Sequence, residues 1–266
     1  MHYVDEGEGR AVVMLHGNPT WSFYFRELIK ELREDHRVVA PDHIGCGLSE
    51  KPQAYAYTLG RHVDNIEKLI DRLGLKDITL IVHDWGAAIG MGWVVRRPEL
   101  VRDIVVLNGG AFFCGKAPWR IRICTAPFVG DVLIRGLNAF VRAACSMATA
   151  RPERMTPDVK GGYLFPYGSW ASRVAILGFV RDIPRNRQIP SHSVLTQIES
   201  RLPELRDRPM MICWGVKDFC FDKRFLEGWI SRFPQARVHR FEEAGHYVLE
   251  DAHEHILPLV REFVKS

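Results

Sequence analysis

The chain has 266 residues, 47% of them apolar and 26% charged. A chain of this size can bury about three quarters of its unfolded surface, which excludes a disordered or low-complexity protein. The net charge of +4 is too mild to argue for nucleic acid, and no RNA-binding or zinc-finger signature accompanies it. No run of about 18 apolar residues occurs, and the start MHYVDEGEGR lacks the basic and apolar regions of a secretory signal, so neither membrane spanning nor export is expected.

In chain order, short Val- and Ile-rich runs at 11–15 (AVVML), 37–40 (RVVA), 78–82 (ITLIV) and 104–107 (IVVL) suit strands buried on both faces. Between them, 21–33 and 62–73 carry apolar residues at helical spacing, with Gly74 where the second helix would end. The alternation predicts βαβ crossovers and a mostly parallel α/β sheet. It stops after Asn108 and resumes with strands at 210–214 (MMICW) and 238–241 (VHRF) and a closing helix at 253–264. The intervening stretch reads as amphipathic helices broken at Pro118, Pro127, Pro152, Pro157, Pro166 and Pro184. The expected organisation is a core of 1–111 and 198–266 with a helical cap of 112–197 inserted between strands. Ligands of open α/β sheets bind outside the carboxyl ends of the strands, where such an insertion forms a lid.

Six cysteines (Cys46, Cys114, Cys124, Cys145, Cys213, Cys220) lack CxxC spacing. They read as core residues of a protein in a reducing, cytoplasmic compartment. No cofactor is implied, because Gly7-Glu8-Gly9 precedes a strand instead of following one. His253 and His255, two apart on a helix, do not share a face, so no metal site is expected.

The chemistry concentrates in Ile81-Val82-His83-Asp84-Trp85-Gly86-Ala87-Ala88, a buried strand running into a small-residue helix start. This is the frame of a nucleophile elbow, with Asp84 where a serine usually stands. A carboxylate is already ionised at neutral pH and can attack a saturated or strained carbon without a base, leaving an enzyme ester. Water activated by His246, after the last strand, would release that ester, and Asp218, after the strand at 210–214, would orient the imidazole. Asn108 ends the preceding strand but, as an amide, cannot carry the charge. Backbone N–H groups of the 15–19 loop (LHGNP) and of Trp85 can form an oxyanion hole, and the Asn18 and Trp85 side chains can solvate a leaving anion such as a halide. His43, His83 and Cys46 are expected to be structural neighbours.

These residues resemble the haloalkane dehalogenases of the α/β-hydrolase superfamily, through HGNPTWSFYFR at 16–26, PDHIGCGLSEKP at 41–52, VHDWGAAIG at 82–90 and AGHYVLED at 244–251. The resemblance implies Asp84 as nucleophile, His246 as base, Asp218 as acid, and Asn18 with Trp85 as the leaving-group cradle, a pattern similar to that family's third subfamily. The same subfamily includes β-lactone decarboxylases of olefin biosynthesis. They are similar through PDHIGCGLS and through the segments 167–173 (YGSWASR) and 179–184 (FVRDIP). The expected function is therefore a dehalogenase-like hydrolase, with decarboxylation of a cis-β-lactone to an alkene and CO2 as the alternative. Epoxide hydrolysis ranks third, and would use Tyr163 and Tyr167 as acids. A non-catalytic binding module is the alternative from another class, and the joint presence of Asp84, Asp218 and His246 speaks against it.

The charge is uneven: residues 112–197 carry +8 and the remainder −4. The stretch 128–150 combines an apolar stripe with Arg135 and Arg142, the pattern of a helix packed over a pocket mouth. That reading comes first; docking to an anionic membrane or an acidic partner that hands over a hydrophobic substrate is the alternative.

Overall fold

The computed structural model describes residues 1–115 and 117–265. The first half alternates as expected: β1 (Tyr3–Glu6), β2 (Arg10–Leu15), α1 (Arg26–Leu32), β3 (His36–Pro41), α2 (Leu59–Leu73), β4 (Ile78–Asp84), α3 (Trp85–Val94) and β5 (Val101–Gly109). Five helices follow: α4 (Trp119–Ile123), α5 (Ala139–Met147), α6 (Pro157–Leu164), α7 (Val174–Arg181) and α8 (Pro190–Arg201). The chain then returns through β6 (Met210–Gly215), α9 (Lys223–Arg232), β7 (Arg237–Phe241) and α10 (Val248–Lys265).

The strands form one sheet in the order β1-β3-β2-β4-β5-β6-β7. Only β1 runs antiparallel to its neighbour; the other pairings are parallel. All seven residues of β4 are buried, because helices cover both faces. Val13, Leu15, Leu80, Val82 and Val106 face one core, and Val12, Met14, Ile81, Val105 and Leu107 face the other. That is the two-residue period of a strand expressed twice over. Helix α3 is apolar all round and is buried from Gly86 to Val94, as such a helix must be.

Three elements differ from expectation. Strand β1 was not predicted, because its alternating half-exposed YVDE pattern is the weak signature of a charged edge strand. Helix α9 was also missed; Asp222 caps it by accepting from the Arg224 N–H at 3.0 Å. The closing helix starts at 248, but its backbone breaks at Ala252 (φ −143°), which is why periodicity becomes legible only from 253. The prolines between β5 and β6 mark helix starts as often as breaks: Pro157 and Pro190 each occupy a first helical position, where a missing N–H costs nothing. Helix α8 runs continuously through position 197, so the expected boundary falls inside a helix.

Candidate active site

The parallel register brings the carboxyl ends of β2, β4, β5 and β6 side by side. Leu15 pairs with Val82, His83 with Leu107, and Leu107 with Cys213. At the end of β4 the register shifts so that Asp84 opposes Gly109, and Asp84 takes φ +52°, a conformation uncommon outside glycine. Two close approaches permit it. A Cβ at Gly17 would lie 2.1 Å from Asp84 Oδ1, and one at Gly86 would lie 2.0 Å from the Leu15 carbonyl oxygen. The elbow therefore needs glycine on both sides of the carboxylate.

The Asp84 carboxylate is buried. Its Oδ1 accepts the Asn18 backbone N–H at 2.6 Å, and its Oδ2 lies 3.6 Å from His246 Nε2. Burial pushes its pKa above the usual carboxylate value, while the His246 charge and the backbone N–H groups of Asn18 and Trp85 pull the other way. Asp218 Oδ2 accepts from His246 Nδ1 at 2.9 Å, so a neutral ring leaves Nε2 unprotonated toward Asp84. Burial lowers the His246 pKa, but the Asp218 charge and hydrogen bond, with the Asp84 charge, outweigh it and raise the net value.

Asp218 is itself held by three further donors. Its Oδ1 accepts backbone N–H groups from Cys220 (2.6 Å) and Phe221 (3.0 Å). Its Oδ2 also accepts from Asn108 Nδ2 at 2.9 Å. Asn108, at the end of β5 with φ +29°, further accepts the Gly215 N–H (2.7 Å) and donates to the Gly215 carbonyl (3.0 Å). The amide thus locks the ends of β5 and β6 and aims the acid. Sequence reasoning saw only that Asn108 cannot be the acid; its position at a strand end adjacent to β6 was the available signal.

Behind the imidazole, His83 Nε2 donates to the His246 carbonyl at 3.0 Å, and its ring stacks on Tyr24 at 4.2 Å. Burial keeps the His83 pKa well below its ordinary value. In the LHGNP loop, His16 Nε2 accepts the His43 N–H at 2.9 Å, which leaves Nδ1 to donate to the Gly17 carbonyl at 2.7 Å. Burial drops the His16 pKa to about 3. His43 and His83 are neighbours of the site, as expected, and Cys46 is buried.

Asp84, His246, Asn18 and Trp85 line one cavity of about 610 Å³. Its walls are apolar, with Phe112, Leu133, Phe140, Val180, Leu195 and Phe221 among them. The Trp119–Ile123 segment lines it too, and Trp119 and Ile123 are largely exposed. One N–H of the Asn18 side chain is directed at the Ile176 carbonyl (3.4 Å), which leaves its second amide proton for a ligand.

The two cap tyrosines correct the third expectation. Tyr163 donates to Glu250, which also holds Arg26 through two bonds of 2.6 and 2.7 Å. Tyr167 donates to the Thr20 carbonyl (3.4 Å) and accepts the Gly47 N–H (3.2 Å). Both are fully buried and neither belongs to the cavity lining, so they do not supply the acids that epoxide opening requires. Each hydroxyl satisfies a buried partner instead.

A family model of the alpha/beta hydrolase fold matches residues 10–130. The chain is 44% identical over 244 residues to the cis-3-alkyl-4-alkyloxetan-2-one decarboxylase of Shewanella oneidensis, a match covering 90% of this chain and 76% of that protein. Identity to the protein of the same name from Xanthomonas campestris is 41% over 278 residues, covering 100% and 92%. Among solved structures, the haloalkane dehalogenase DatA from Agrobacterium tumefaciens C58 superposes with a TM-score of 0.88 at 26% identity, covering 99% of this chain and 92% of that one. Fold and site together define an enzyme of the α/β-hydrolase class. Within it, the chain belongs to the family of these oxetanone decarboxylases.

Proposed function

We propose that Asp84 is the nucleophile of a reaction at a saturated carbon bearing an anionic leaving group, and that the substrate is a 3,4-dialkyl oxetan-2-one. The observation that carries the nucleophile is the strained, buried Asp84 carboxylate, 3.6 Å from the imidazole of His246 and open to an apolar cavity. The higher identity to oxetanone decarboxylases, 44% and 41%, supports the lactone over a haloalkane, and a cavity with aromatic and aliphatic walls accepts two alkyl arms.

Asp84 Oδ2 attacks C4 of the lactone, the C4–O1 bond breaks, and the ring opens to a carboxylate on C3. Asn18 and Trp85 present N–H donors to that new anion. The C3–carboxylate bond then breaks, CO2 departs, its electron pair forms the C3–C4 double bond, and the C4–O bond to Asp84 cleaves. Inversion at C4 followed by anti departure returns the cis geometry of the lactone as a cis alkene. No water is consumed and Asp84 is regenerated. His246 and its orienting acid Asp218 balance the charge beside Asp84.

A second reading, haloalkane hydrolysis, is supported by the likeness to DatA and by the same Asn18 and Trp85 pair, which suits a halide. There Asp84 displaces halide, and His246 Nε2 takes a proton from water that attacks the Asp84 ester carbonyl, giving alcohol and free Asp84. In both readings the helical stretch 112–197 acts as the lid that excludes water from the apolar chamber. Parallel assays decide: a dialkyl oxetanone followed by CO2 and alkene, and long bromoalkanes followed by halide. We expect the lactone to react and bromoalkanes to react slowly at best; halide release alone would reverse the order.

A further inference from the structure

The excess positive charge of 112–197 includes arginines with no counter-ion. Arg173, in the turn just before α7, is only 8% exposed, and its Nε is sealed without a partner. Among the described residues no oxygen accepts from its guanidinium. Buried arginines are ordinarily paired, because an unpaired buried charge is costly. Its charged neighbours are Arg142, on α5, and Arg135, in the π-helical turn Asp131–Gly136; burial, then these two like charges, lower its pKa. Arg135 bonds to Gln53 Oε1 (2.8 Å) and the Trp170 carbonyl (3.3 Å) and lies over the Trp170 ring at 4.7 Å, none of them anionic. Asp131, the acid of that turn, is tied to Arg181 at 2.5 Å.

Large apolar side chains of the same part of the chain stand in solvent: Phe128 is 83% exposed, Leu137 62%, Val132 54%, and Trp170, beneath Arg135, 48%. Phe128 has φ +62°, and the Val129 N–H closes a three-residue turn on the Pro127 carbonyl at 2.7 Å. A γ-turn of positive central φ is rare and strained, and a bulky residue there is an outlier. Glycine would sit in it without cost, so the fold gains nothing from an exposed phenyl ring held this way. Two residues on, Gly130 packs so closely on the Cys124 carbonyl that a Cβ would approach to 2.2 Å. This places the strained turn against the end of the Trp119–Ile123 mouth.

We propose that this face docks on an anionic phospholipid bilayer, with Arg135 and Arg142 holding lipid phosphates, the uncompensated charge of Arg173 behind them, while Phe128, Val132 and Leu137 enter the acyl boundary. Guanidinium forks match phosphate oxygens, and aromatic residues beside arginine are the composition of an interfacial anchor. The proposal builds on the reading that the cavity takes an apolar substrate, since it sets the cavity mouth against the membrane that dissolves such a substrate. Docking itself needs no turnover.

The test is cosedimentation of the full chain with phosphatidylcholine vesicles with and without phosphatidylglycerol, at low and high salt. The wild type is expected to bind only the anionic vesicles and to be released by salt. Each arginine removed should weaken binding about fivefold, so R135Q/R142Q should lose about 25-fold. Phe128→Gly should weaken binding while its Tm stays level or rises, a split that a structural role for the ring would not give. R173Q is read with its Tm; should it fail to fold, the double variant decides. Failure of the wild type to bind anionic vesicles, or equal binding by R135Q/R142Q and Phe128→Gly, would overturn the proposal. So would recovery of an acidic protein on this face without vesicle binding. Asp84→Asn should bind vesicles like the wild type, which keeps failure of the docking and failure of the reaction distinguishable.

Discussion

Asn108 and His246 donate to the same oxygen, Oδ2 of Asp218, each at 2.9 Å. The acid is therefore aimed by an amide on the neighbouring strand, and the residue at the end of β5 supports the charge it cannot itself carry. Asn108→Ala should leave the Gly215 N–H without its acceptor and cost about 1–3 kcal/mol of stability. It should also leave the Asp218 charge less shared, so that it holds the His246 proton more firmly. We expect bromoalkane turnover to fall roughly 10–100-fold and the acid limb of its pH profile to move up, since proton-transfer catalysis contributes about 10²–10⁴-fold. An unchanged profile would mean that Asn108 serves only the sheet.

The pH dependence has a definite sign. Ester hydrolysis needs a neutral His246, whose pKa is raised above 6.5, and attack needs an ionised Asp84, whose pKa is also raised. Both requirements fail on the acid side, but they act on different constants: kcat/KM for a bromoalkane ends at halide release and should follow Asp84, while kcat also contains ester hydrolysis and should drop as His246 is protonated. Esterification removes the Asp84 charge, one of the contributions that raise the imidazole pKa. The acid limb of kcat should therefore lie below the His246 value of the free enzyme. For an oxetanone, which consumes no water, the limb of kcat should follow Asp84 alone. Coincident kcat limbs for the two substrates would contradict this division of roles.

Isotope labelling separates the two chemistries. Repeated turnover in H2(18)O should place label in the Asp84 carboxylate when a bromoalkane is hydrolysed, because water attacks the ester carbonyl. Lactone decarboxylation should leave Asp84 unlabelled. Mass spectrometry of the peptide carrying Asp84 reads both. Label arising from the oxetanone would show that its ester is hydrolysed.

Asp182 links the end of α7 to the starts of α2 and α8, accepting from the Leu59 N–H at 2.8 Å and from the Ser191 hydroxyl. Burial raises its pKa to about 6 against these donors. A raised carboxylate pKa means that stability from this group is present at acid pH and lost as pH rises through about 6. Asp182→Asn keeps an acceptor and cannot ionise. Between pH 5 and pH 8 its stability relative to wild type should improve by on the order of 2 kcal/mol, read from urea midpoints. Asp182→Ala should be less stable throughout. A constant difference between Asn and wild type would refute the assignment.

Much of this was legible because strand burial and the elbow leave local signals. Four strands declare themselves as short Val- and Ile-rich runs, and Asp84 stands between a buried strand and a small-residue helix start. The order Asp84, Asp218, His246 follows from where the strands end. What escaped depended on distance in the chain. The Asn108 contact spans 110 residues to Asp218, and the Tyr163 hydroxyl reaches Glu250 across 87, so no window of sequence contains either. Tyr163 and Tyr167 looked available for catalysis because a hydroxyl announces chemistry, not its partner. Strand β1 escaped for the opposite reason, since an edge strand with one half-buried face carries little pattern to read.

A covalent bond between Asp84 and substrate is common to both reactions, and trapping it tests the chemistry most directly. His246→Ala, incubated with a long-chain bromoalkane and digested, should yield the peptide carrying Asp84 heavier by one alkyl group, with the ester on that carboxylate. A peptide of unaltered mass while the wild type consumes the same bromoalkane, or an adduct on any other side chain, would contradict it.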